Sequence, residues 1–528
     1  MPRRRFLEAS TGAAAIAWAD GLFGPARAHA ATPGPTPELI RLGEVALEAA
    51  RKAGATYADI RITRYHTQDV SLRSTPDVAT GKLNHVPSVS ETQRFGFGVR
   101  VIAAGTWGFA ASPLVNADAI ARAARDAVAV AKANAALTRT PVRLAPVPAY
   151  VDRYTTPFRV NPFDIGVPDK LALLEKANSE AKGVREVFSS TSFVTARAED
   201  KFLATTDGAR LQQLIVQVWG GVSATARDLE TRLSRTRNHL VGFVTGGWED
   251  IEHGDLAGEA RRVGEEAVEH LKAPAVVAGK KDLVLLPTHL ALTIHESIGH
   301  STELDRALGY EANLAGTSFL TPDQLGKFRI GSPMMHVVGD RTSPGALATV
   351  GYDDDGVKAT SFDIVREGMF VGFQTIRDQA HLVGEKESKG CCYADSFDSL
   401  PFQRMPNVWL KSSEKEVSLD DLIAGVDDGI LIDGRGSWSI DQQRYNFQFG
   451  GDAFWEIKGG KKRGMLSRVA YQSRTPDFWA TLDGLTDRRF WRNAGLTGDG
   501  KGEPAQSNAM SHGCPPARFR QINVLVTD

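Results

Sequence analysis

The stretch HESIGH, residues 295–300, constrains the local backbone more strongly than any other part of the sequence. It holds two histidines five positions apart. Each residue of a straight α-helix turns by about 100°, so their side chains would point about 140° away from each other. They can meet only if a π-turn widens the helix or if Gly299 ends it. The spacing therefore predicts a distortion of the helix between His295 and His300.

The residue types in this stretch are those of a catalytic zinc site. Zinc binds imidazole nitrogen readily, and a hydrolytic site keeps one position for a water whose pKa falls to about 7. His295 and His300 are the candidate ligands, and Glu296 is the candidate general base that takes the proton of that water. Glu303 follows closely, either as an acceptor that orients an imidazole N–H or as part of a solvated face.

Length and charge limit the other possibilities. The chain has 528 residues, which is too long for one ordinary core and predicts two or three domains. Its 62 basic and 63 acidic residues nearly cancel, which argues against binding to nucleic acid or to a membrane surface by bulk charge. The three cysteines, two of them adjacent, do not indicate a disulfide framework.

The order of the expected elements predicts an α+β protein with two main units. An amphipathic helix at 37–53, a strand at 57–63, a hairpin and a second helix after Asn116 suggest a two-layer α/β domain over residues 31–275. Short strands and hairpin turns dominate the remaining sequence. Residues 276–528 are therefore expected to form a strand-rich domain, barrel-like or a sandwich, that carries the helix with HESIGH.

Residues 1–30 have the pattern of an export signal. An arginine cluster at residues 3–5 precedes a weakly apolar, Ala-rich run that ends in the small-x-small pattern Ala28-His29-Ala30. The sequence RRRFL and the modest hydrophobicity of the run favour the twin-arginine route. We therefore expect a periplasmic protein. No later segment has the roughly 18 uninterrupted apolar residues that a bilayer span needs, so the mature chain is expected to have no membrane span.

Several blocks of the sequence occur in the order found in one known family. They are HESIGHSTELDRALGYEANLAGTSFL, VGYDDDGVKATSFDIVREGMFVGFQTIRDQA, LPFQRMPNVWL, FQFGGDAFWEIKGGKKRG and GDGKGEPAQ. With them the chain resembles the TldD/PmbA family of metallopeptidases, and YADIRITR and GFGVRVIAAGTWGFAAS are similar to that family's N-terminal domain. The resemblance implies a zinc-dependent peptidase that acts on peptides or unfolded segments, as a homodimer or with a homologous subunit.

The resemblance matches the two histidines of HESIGH to zinc ligands and its glutamate to the catalytic residue, but the third ligand does not transfer. The TldD branch has a cysteine where this sequence has Asp499. Asp499 could bind zinc through a carboxylate oxygen, and His512 or Cys514 further along could do so instead. Arg404 lies in LPFQRMPNVWL, one of the blocks that resemble the family. It could form a buried salt bridge or bind a peptide carboxylate, and we favour the salt bridge.

The sequence therefore predicts a periplasmic zinc peptidase in which Glu296 deprotonates a water. An extended peptide that pairs with a strand edge would bind with little regard to its side chains. The alternative is a non-catalytic peptide-binding or partner subunit with a structural metal or none. The retained Glu296 argues against this alternative, because a structural site has no need of a base.

Overall fold

The computed structural model describes residues 34–77, 80 and 82–527, so the predicted export signal lies outside the described residues. The protein is α+β, as the sequence predicts, with an N-terminal α/β domain followed by a strand-rich C-terminal domain. Within the described ranges, no helix is long and apolar enough to cross a membrane.

The N-terminal domain is built on one seven-stranded sheet. Its helices are α1 (Pro37–Ala53), α2 (Ala117–Asn134), α3 (Val167–Lys182), α4 (Trp248–His253) and α5 (Leu256–Lys272). Its strands are β1 (Tyr57–Pro76), β2 (Leu83–Ala103), β3 (Thr106–Ser112), β4 (Val151–Thr155), β5 (Val187–Thr205), β6 (Arg210–Arg227) and β7 (Ser234–Thr245). The strand order is β3-β2-β1-β5-β6-β4, with β7 also beside β6, and among the described strands of this sheet only β4 and β6 pair in parallel.

Two pairs of helices cover this sheet. The predicted helix over residues 37–53 is α1, which buries Leu39, Leu42 and Leu47 because these positions recur on one helical face. It packs with α2 over β1, β2 and β3 in one apolar cluster. The helices α3 and α5 pack together over β5, β6 and β7 in a second cluster.

The C-terminal domain is dominated by strands. Its helices are α6 (Pro287–Ile294), α7 (Leu304–Ala307), α8 (Leu419–Ala424) and α9 (Thr475–Ala480). Its strands are β8 (Gly279–Leu285), β9 (Val337–Asp340), β10 (Ser361–Arg366), β11 (Met369–Phe370), β12 (Cys392–Tyr393), β13 (Phe402–Gln403), β14 (Asn407–Leu410), β15 (Asp428–Asp433), β16 (Trp438–Ile440), β17 (Asn446–Phe449), β18 (Ala453–Lys458), β19 (Lys461–Met465), β20 (Val469–Arg474), β21 (Leu482–Leu485), β22 (Arg492–Lys501), β23 (Gln506–Cys514) and β24 (Ala517–Val526). A nine-stranded sheet has the order β16-β17-β20-β24-β8-β15-β18-β19, with β21 beside β24. A four-stranded sheet has the order β11-β10-β9-β14, and β12–β13 and β22–β23 form separate pairs.

The central strand β8 leads directly into the helix that carries HESIGH. It pairs in parallel with β15 and antiparallel with β24, and α6 begins after Leu286. Leu290, Ile294 and Ile298 anchor this helix and the turn after it in the largest apolar core. The β22–β23 hairpin packs against α6. This contact brings a segment some 200 residues further along the chain to the HESIGH stretch.

Buried ion pairs join the two domains. The carboxylate of Asp355 accepts a hydrogen bond from Arg100 on β2 at 2.7 Å, and Asp354 accepts one from Lys201 on β5 at 2.5 Å. Each of these four side chains is almost fully buried. Removing one partner would leave an uncompensated buried charge, which is strongly destabilising.

Candidate metal centre

The predicted distortion is present where α6 ends. The chain continues as a π-helix over His295–Gly299 and then as a 3₁₀ turn over His300–Thr302. The amide of His300 donates to the carbonyl oxygen of His295, which is the five-residue hydrogen bond of a π-turn. As a result, the two imidazole rings are neighbours in an edge-to-face arrangement, with centroids 4.5 Å apart.

Gly299 serves this turn through its small size. Its φ of −53° is one that any residue adopts, so Gly299 does not end the helix by entering the left-handed region. A Cβ atom at this position would lie 2.5 Å from the sulfur of Met405, which is fully buried. The Gly299 carbonyl oxygen accepts hydrogen bonds from Gln374 Nε2 at 2.6 Å and from Thr302 Oγ1 at 3.2 Å.

We expect Gly299→Ala to lower the free energy of unfolding by about 1–3 kcal/mol, because the added methyl group would displace Met405 in a packed core. Urea denaturation followed by circular dichroism measures this change. Gly464→Ala is the matched control, since Gly464 is exposed on β19 and has open space around its Cβ position. Equal losses in the two variants would contradict this explanation of Gly299.

Three potential ligand atoms converge beside the π-turn. His295 Nε2 lies 3.8 Å and His300 Nε2 3.5 Å from Asp499 Oδ1. All three atoms lie within 4.8 Å of one another, and the three residues are buried. Ligands of a tetrahedral zinc ion are about 3.3 Å apart for bonds of about 2 Å. The spacing therefore fits a zinc ion after small side-chain movements.

The other two candidates for a third ligand lie elsewhere. His512 Nε2 is 2.9 Å from Nδ1 of His295, on the ring edge that faces away from Asp499. The Cys514 thiol contacts the carbonyl oxygen of Pro287, at the start of α6, at 3.7 Å. Burial raises the pKa of this thiol, which opposes formation of the thiolate that binds metal. Of the three candidates, the structure brings Asp499 to the histidine pair.

Hydrogen bonds orient both imidazoles. His512 Nδ1 lies 3.3 Å from the Val408 carbonyl oxygen and must donate to it, so its Nε2 accepts from Nδ1–H of His295. His300 Nδ1–H donates to Glu303 at 2.8 Å. Both candidate histidines then present an Nε2 lone pair toward Asp499. Burial lowers the pKa of His300 to about 3 and the pKa of His295 well below its usual range, so both rings are neutral at pH 7.

A buried charge cluster holds Glu303 in place. Its carboxylate accepts from Arg306 Nε and from Lys501 Nζ, each at 3.1 Å. Lys501 also donates to Asp305 at 2.8 Å. Burial opposes ionisation of Glu303, but Lys501 and Arg306 outweigh it and hold the pKa of Glu303 well below its usual range. Glu303 is therefore an ionised acceptor for His300 and does not lie on a solvated face.

Arg404 fixes the carboxylate of Asp499. Its Nη2 atom donates to the Asp499 carbonyl oxygen at 2.5 Å and to Oδ2 at 3.2 Å. The Arg404 side chain is fully buried, in agreement with the favoured salt bridge and not with contact to a peptide. Since Oδ2 is held by Arg404, Oδ1 is the oxygen that faces the histidines.

Glu296 lines an open cavity of about 540 Å³ together with the three potential ligands. Its Oε2 atom is 3.7 Å from Arg444 Nη1. Burial raises the pKa of Glu296 to about 7, and Arg444 limits that rise. A carboxylate with a pKa near neutrality is suited to accept a proton and to release it again.

Two cationic residues of this cavity are not among the site residues predicted from the sequence. Arg435 follows β15 and Arg444 precedes β17, and both line the cavity. Arg444 has a φ of 64°, which is uncommon for a residue other than glycine. The only sequence signal for Arg435 is its position between two glycines directly after a buried strand.

Comparison with known families accounts for most of the chain. Three models match in succession: PmbA/TldA metallopeptidase domain 1 over residues 58–131, the central domain over 160–273 and the C-terminal domain over 278–525. The chain belongs to the TldD/PmbA family. Its family is thus one of metallopeptidases, and the candidate metal centre lies within the matched C-terminal domain.

Relatives of this TldD/PmbA family chain are named as metalloproteases. A metalloprotease from Synechocystis sp. is 27% identical over 484 residues, and one from Methanothermobacter thermautotrophicus is 27% identical over 468 residues. Each alignment covers 89% of this chain and 95% of the relative. A zinc metalloprotease TldD homolog from Saccharolobus solfataricus is 20% identical over 490 residues, which cover 90% of this chain and 98% of the relative.

Solved structures share the fold. The crystal structure of a Bacteroides thetaiotaomicron protein has a TM-score of 0.71 and 16% identity, and covers 93% of this chain and 99% of that one. TldE from Thermococcus kodakarensis has a TM-score of 0.65 and 16% identity, with coverage of 91% and 99%. At this identity the likeness concerns the fold alone.

Proposed function

We propose that this chain is a zinc-dependent peptidase that hydrolyses peptide bonds in peptides or unfolded protein segments. The main support is the convergence of His295 Nε2, His300 Nε2 and Asp499 Oδ1 next to Glu296 in one open cavity. Two neutral imidazoles and one carboxylate are a donor set that catalytic zinc sites use, with a fourth position left for water or substrate. The donors present here therefore fit zinc.

In the proposed reaction Glu296 is the general base. Bound zinc would supply Lewis-acid chemistry, which acidifies water and polarises a carbonyl oxygen. Glu296 accepts the proton of the attacking water while the water oxygen bonds to the carbonyl carbon. It then gives this proton to the leaving amine nitrogen as the C–N bond breaks. Arg444, 3.7 Å from its carboxylate, helps to keep Glu296 ionised before the reaction.

The substrate would enter as an extended strand. β16 lies at one edge of the nine-stranded sheet, and Trp438 at its start is exposed and lines the cavity. A peptide that pairs with this edge would gain main-chain hydrogen bonds and would pass the Glu296 carboxylate. Such binding admits unfolded segments of varied sequence.

Assembly and location complete the proposal. A homodimer, or a heterodimer with a homologous subunit, is proposed from the resemblance to the TldD/PmbA family. Export to the periplasm by the twin-arginine route is proposed from the RRRFL pattern and the residues that follow it. Cell fractionation of a strain that expresses the full chain, with and without Arg3→Lys and Arg4→Lys, tests this location.

Metal analysis and peptide cleavage test the proposed activity. We expect purified protein to bind about one zinc ion per chain and to cleave unfolded casein but not a stably folded protein. Treatment with a chelator should abolish cleavage, and added zinc should restore it. A protein that binds zinc and never cleaves a peptide would favour the non-catalytic partner subunit.

A further inference from the structure

Arg435 is a partly buried cation that faces the cavity without a counter-ion. In the described part of the chain its guanidinium makes no hydrogen bond and no ion pair. By comparison, Arg404 donates to Asp499, and Arg444 lies 3.7 Å from Glu296. Burial without a partner lowers the pKa of Arg435 and costs free energy. An anion that enters the cavity would remove this cost.

The backbone on both sides of Arg435 is held firmly. Gly434 N donates to Thr288 Oγ1 at 3.1 Å, and the Gly434 carbonyl oxygen lies 2.9 Å from His289 Nδ1. Gly436 N donates to the Gly450 carbonyl oxygen at 3.0 Å. The loop is thus tied to the first turn of α6, the helix that leads into HESIGH. A fixed backbone with a free guanidinium is a preorganised arrangement for binding a ligand.

The charge of the cavity favours an anionic ligand. Arg435 and Arg444 are balanced by Glu296 and Asp499 among the charged lining residues. A divalent metal ion at the candidate centre would then leave a net charge of about +2 in the cavity. Guanidinium binds carboxylate through paired hydrogen bonds, and these are stronger than hydrogen bonds between neutral groups.

A small, mainly apolar cavity adjoins Arg435, and Thr288 and Asn493 are polar residues of its lining. Its volume is about 60 Å³, and Arg435 and Leu496 line both this cavity and the larger one. Leu240, Phe243 and Ala291 supply further apolar walls. A small apolar side chain fits such a space. The Arg435 guanidinium and the adjoining cavity together suit a residue that carries a carboxylate next to a small apolar group. The last residue of a peptide is such a residue.

We infer that Arg435 binds a carboxylate of the peptide substrate. The carboxylate is either the C-terminal one or that of an acidic side chain near the scissile bond. The inference rests on the proposed peptidase function and narrows its substrates to peptides that place an anion at this position.

Binding of short peptides tests the role of Arg435 without relying on cleavage. The protein used is the zinc-loaded full chain with Glu296→Gln, which prevents turnover. Calorimetry measures the affinity of this protein for three peptides: N-acetyl-trialanine, its C-terminal amide and N-acetyl-Ala-Glu-Ala amide. We expect at least one carboxylate peptide to bind about 10- to 100-fold more tightly than trialanine amide. Arg435→Gln should abolish this preference and Arg435→Lys should reduce it. Arg463→Gln removes an exposed arginine of β19 and should leave the preference unchanged.

The outcomes separate this inference from the proposed function. A preference that survives Arg435→Gln would overturn the inference, and so would equal binding of all three peptides to the parent protein. A lower Tm in Arg435→Gln would indicate a structural role and would also overturn it. Tighter binding of trialanine alone would assign the C-terminal carboxylate, whereas tighter binding of the Glu peptide would assign a side chain. Failure of the wild type to cleave peptides would contradict the peptidase proposal only.

Discussion

Replacing Glu296 by glutamine is expected to lower peptide hydrolysis by about 100- to 10,000-fold while zinc binding is retained. Glutamine has nearly the same shape as glutamate, and its amide oxygen can still face Arg444, but it cannot accept a proton from water. The two histidines and Asp499 keep their positions, since Glu296 forms no hydrogen bond with them in the structure. Initial rates of casein cleavage and zinc content of the same preparation measure the two effects.

Glu387→Gln is the matched control for this experiment, because Glu387 is exposed and distant in sequence from every candidate ligand. Its rate and zinc content should equal those of the wild type. If Glu296→Gln cleaves peptides at the wild-type rate, Glu296 is not the base. If the variant loses its zinc, Glu296 is a ligand, and the three-residue metal centre is incomplete.

The distortion at HESIGH was open to prediction because it depends on local geometry. His300 follows His295 by five positions, and no straight helix can bring side chains at this spacing together. The helix α1 could be predicted for a similar reason, since its apolar residues recur on one face. In both cases the information lies within some twenty consecutive residues.

The length of the first strands was not predictable in this way. The sequence indicates a strand that begins at Tyr57, but β1 continues to Pro76 and β2 spans 21 residues. The second half of β1 is largely polar, and it is a strand because β2 pairs with it on one side and β5 on the other. Such pairing between distant segments outweighs local preference.

The position of the third candidate ligand depends on the register of a distant hairpin. Asp499 on β22 pairs with Asn508, and the register shifts between Leu496 and Asp499. Because side chains alternate across a strand, a shift of one residue turns each side chain to the opposite face. The sequence could therefore name Asp499, His512 and Cys514 as candidates without deciding among them. The hairpin places His512 behind His295 and Cys514 next to Pro287.

A graded loss of zinc affinity is expected when these three residues are replaced by alanine. Asp499→Ala should weaken zinc binding by about 1,000-fold. It removes one candidate ligand, and the binding free energy of a zinc site is shared among about four ligands. His512→Ala should weaken it by about 10- to 100-fold, because His295 loses the hydrogen bond that orients it. Cys514→Ala should leave the affinity unchanged. Competition with a zinc-binding dye measures all three.

Loss of stability must be separated from loss of the ligand in Asp499→Ala. The variant leaves Arg404 buried without its carboxylate partner, which costs about 3–5 kcal/mol of folding free energy. Adding Arg404→Met removes the unpaired charge, so the double variant should recover much of the stability but none of the zinc affinity. Recovered zinc binding would mean that Asp499 acts only as a partner of Arg404. A larger loss of zinc in Cys514→Ala than in Asp499→Ala would move the third ligand to the thiol, and α6 would then have to shift relative to β23.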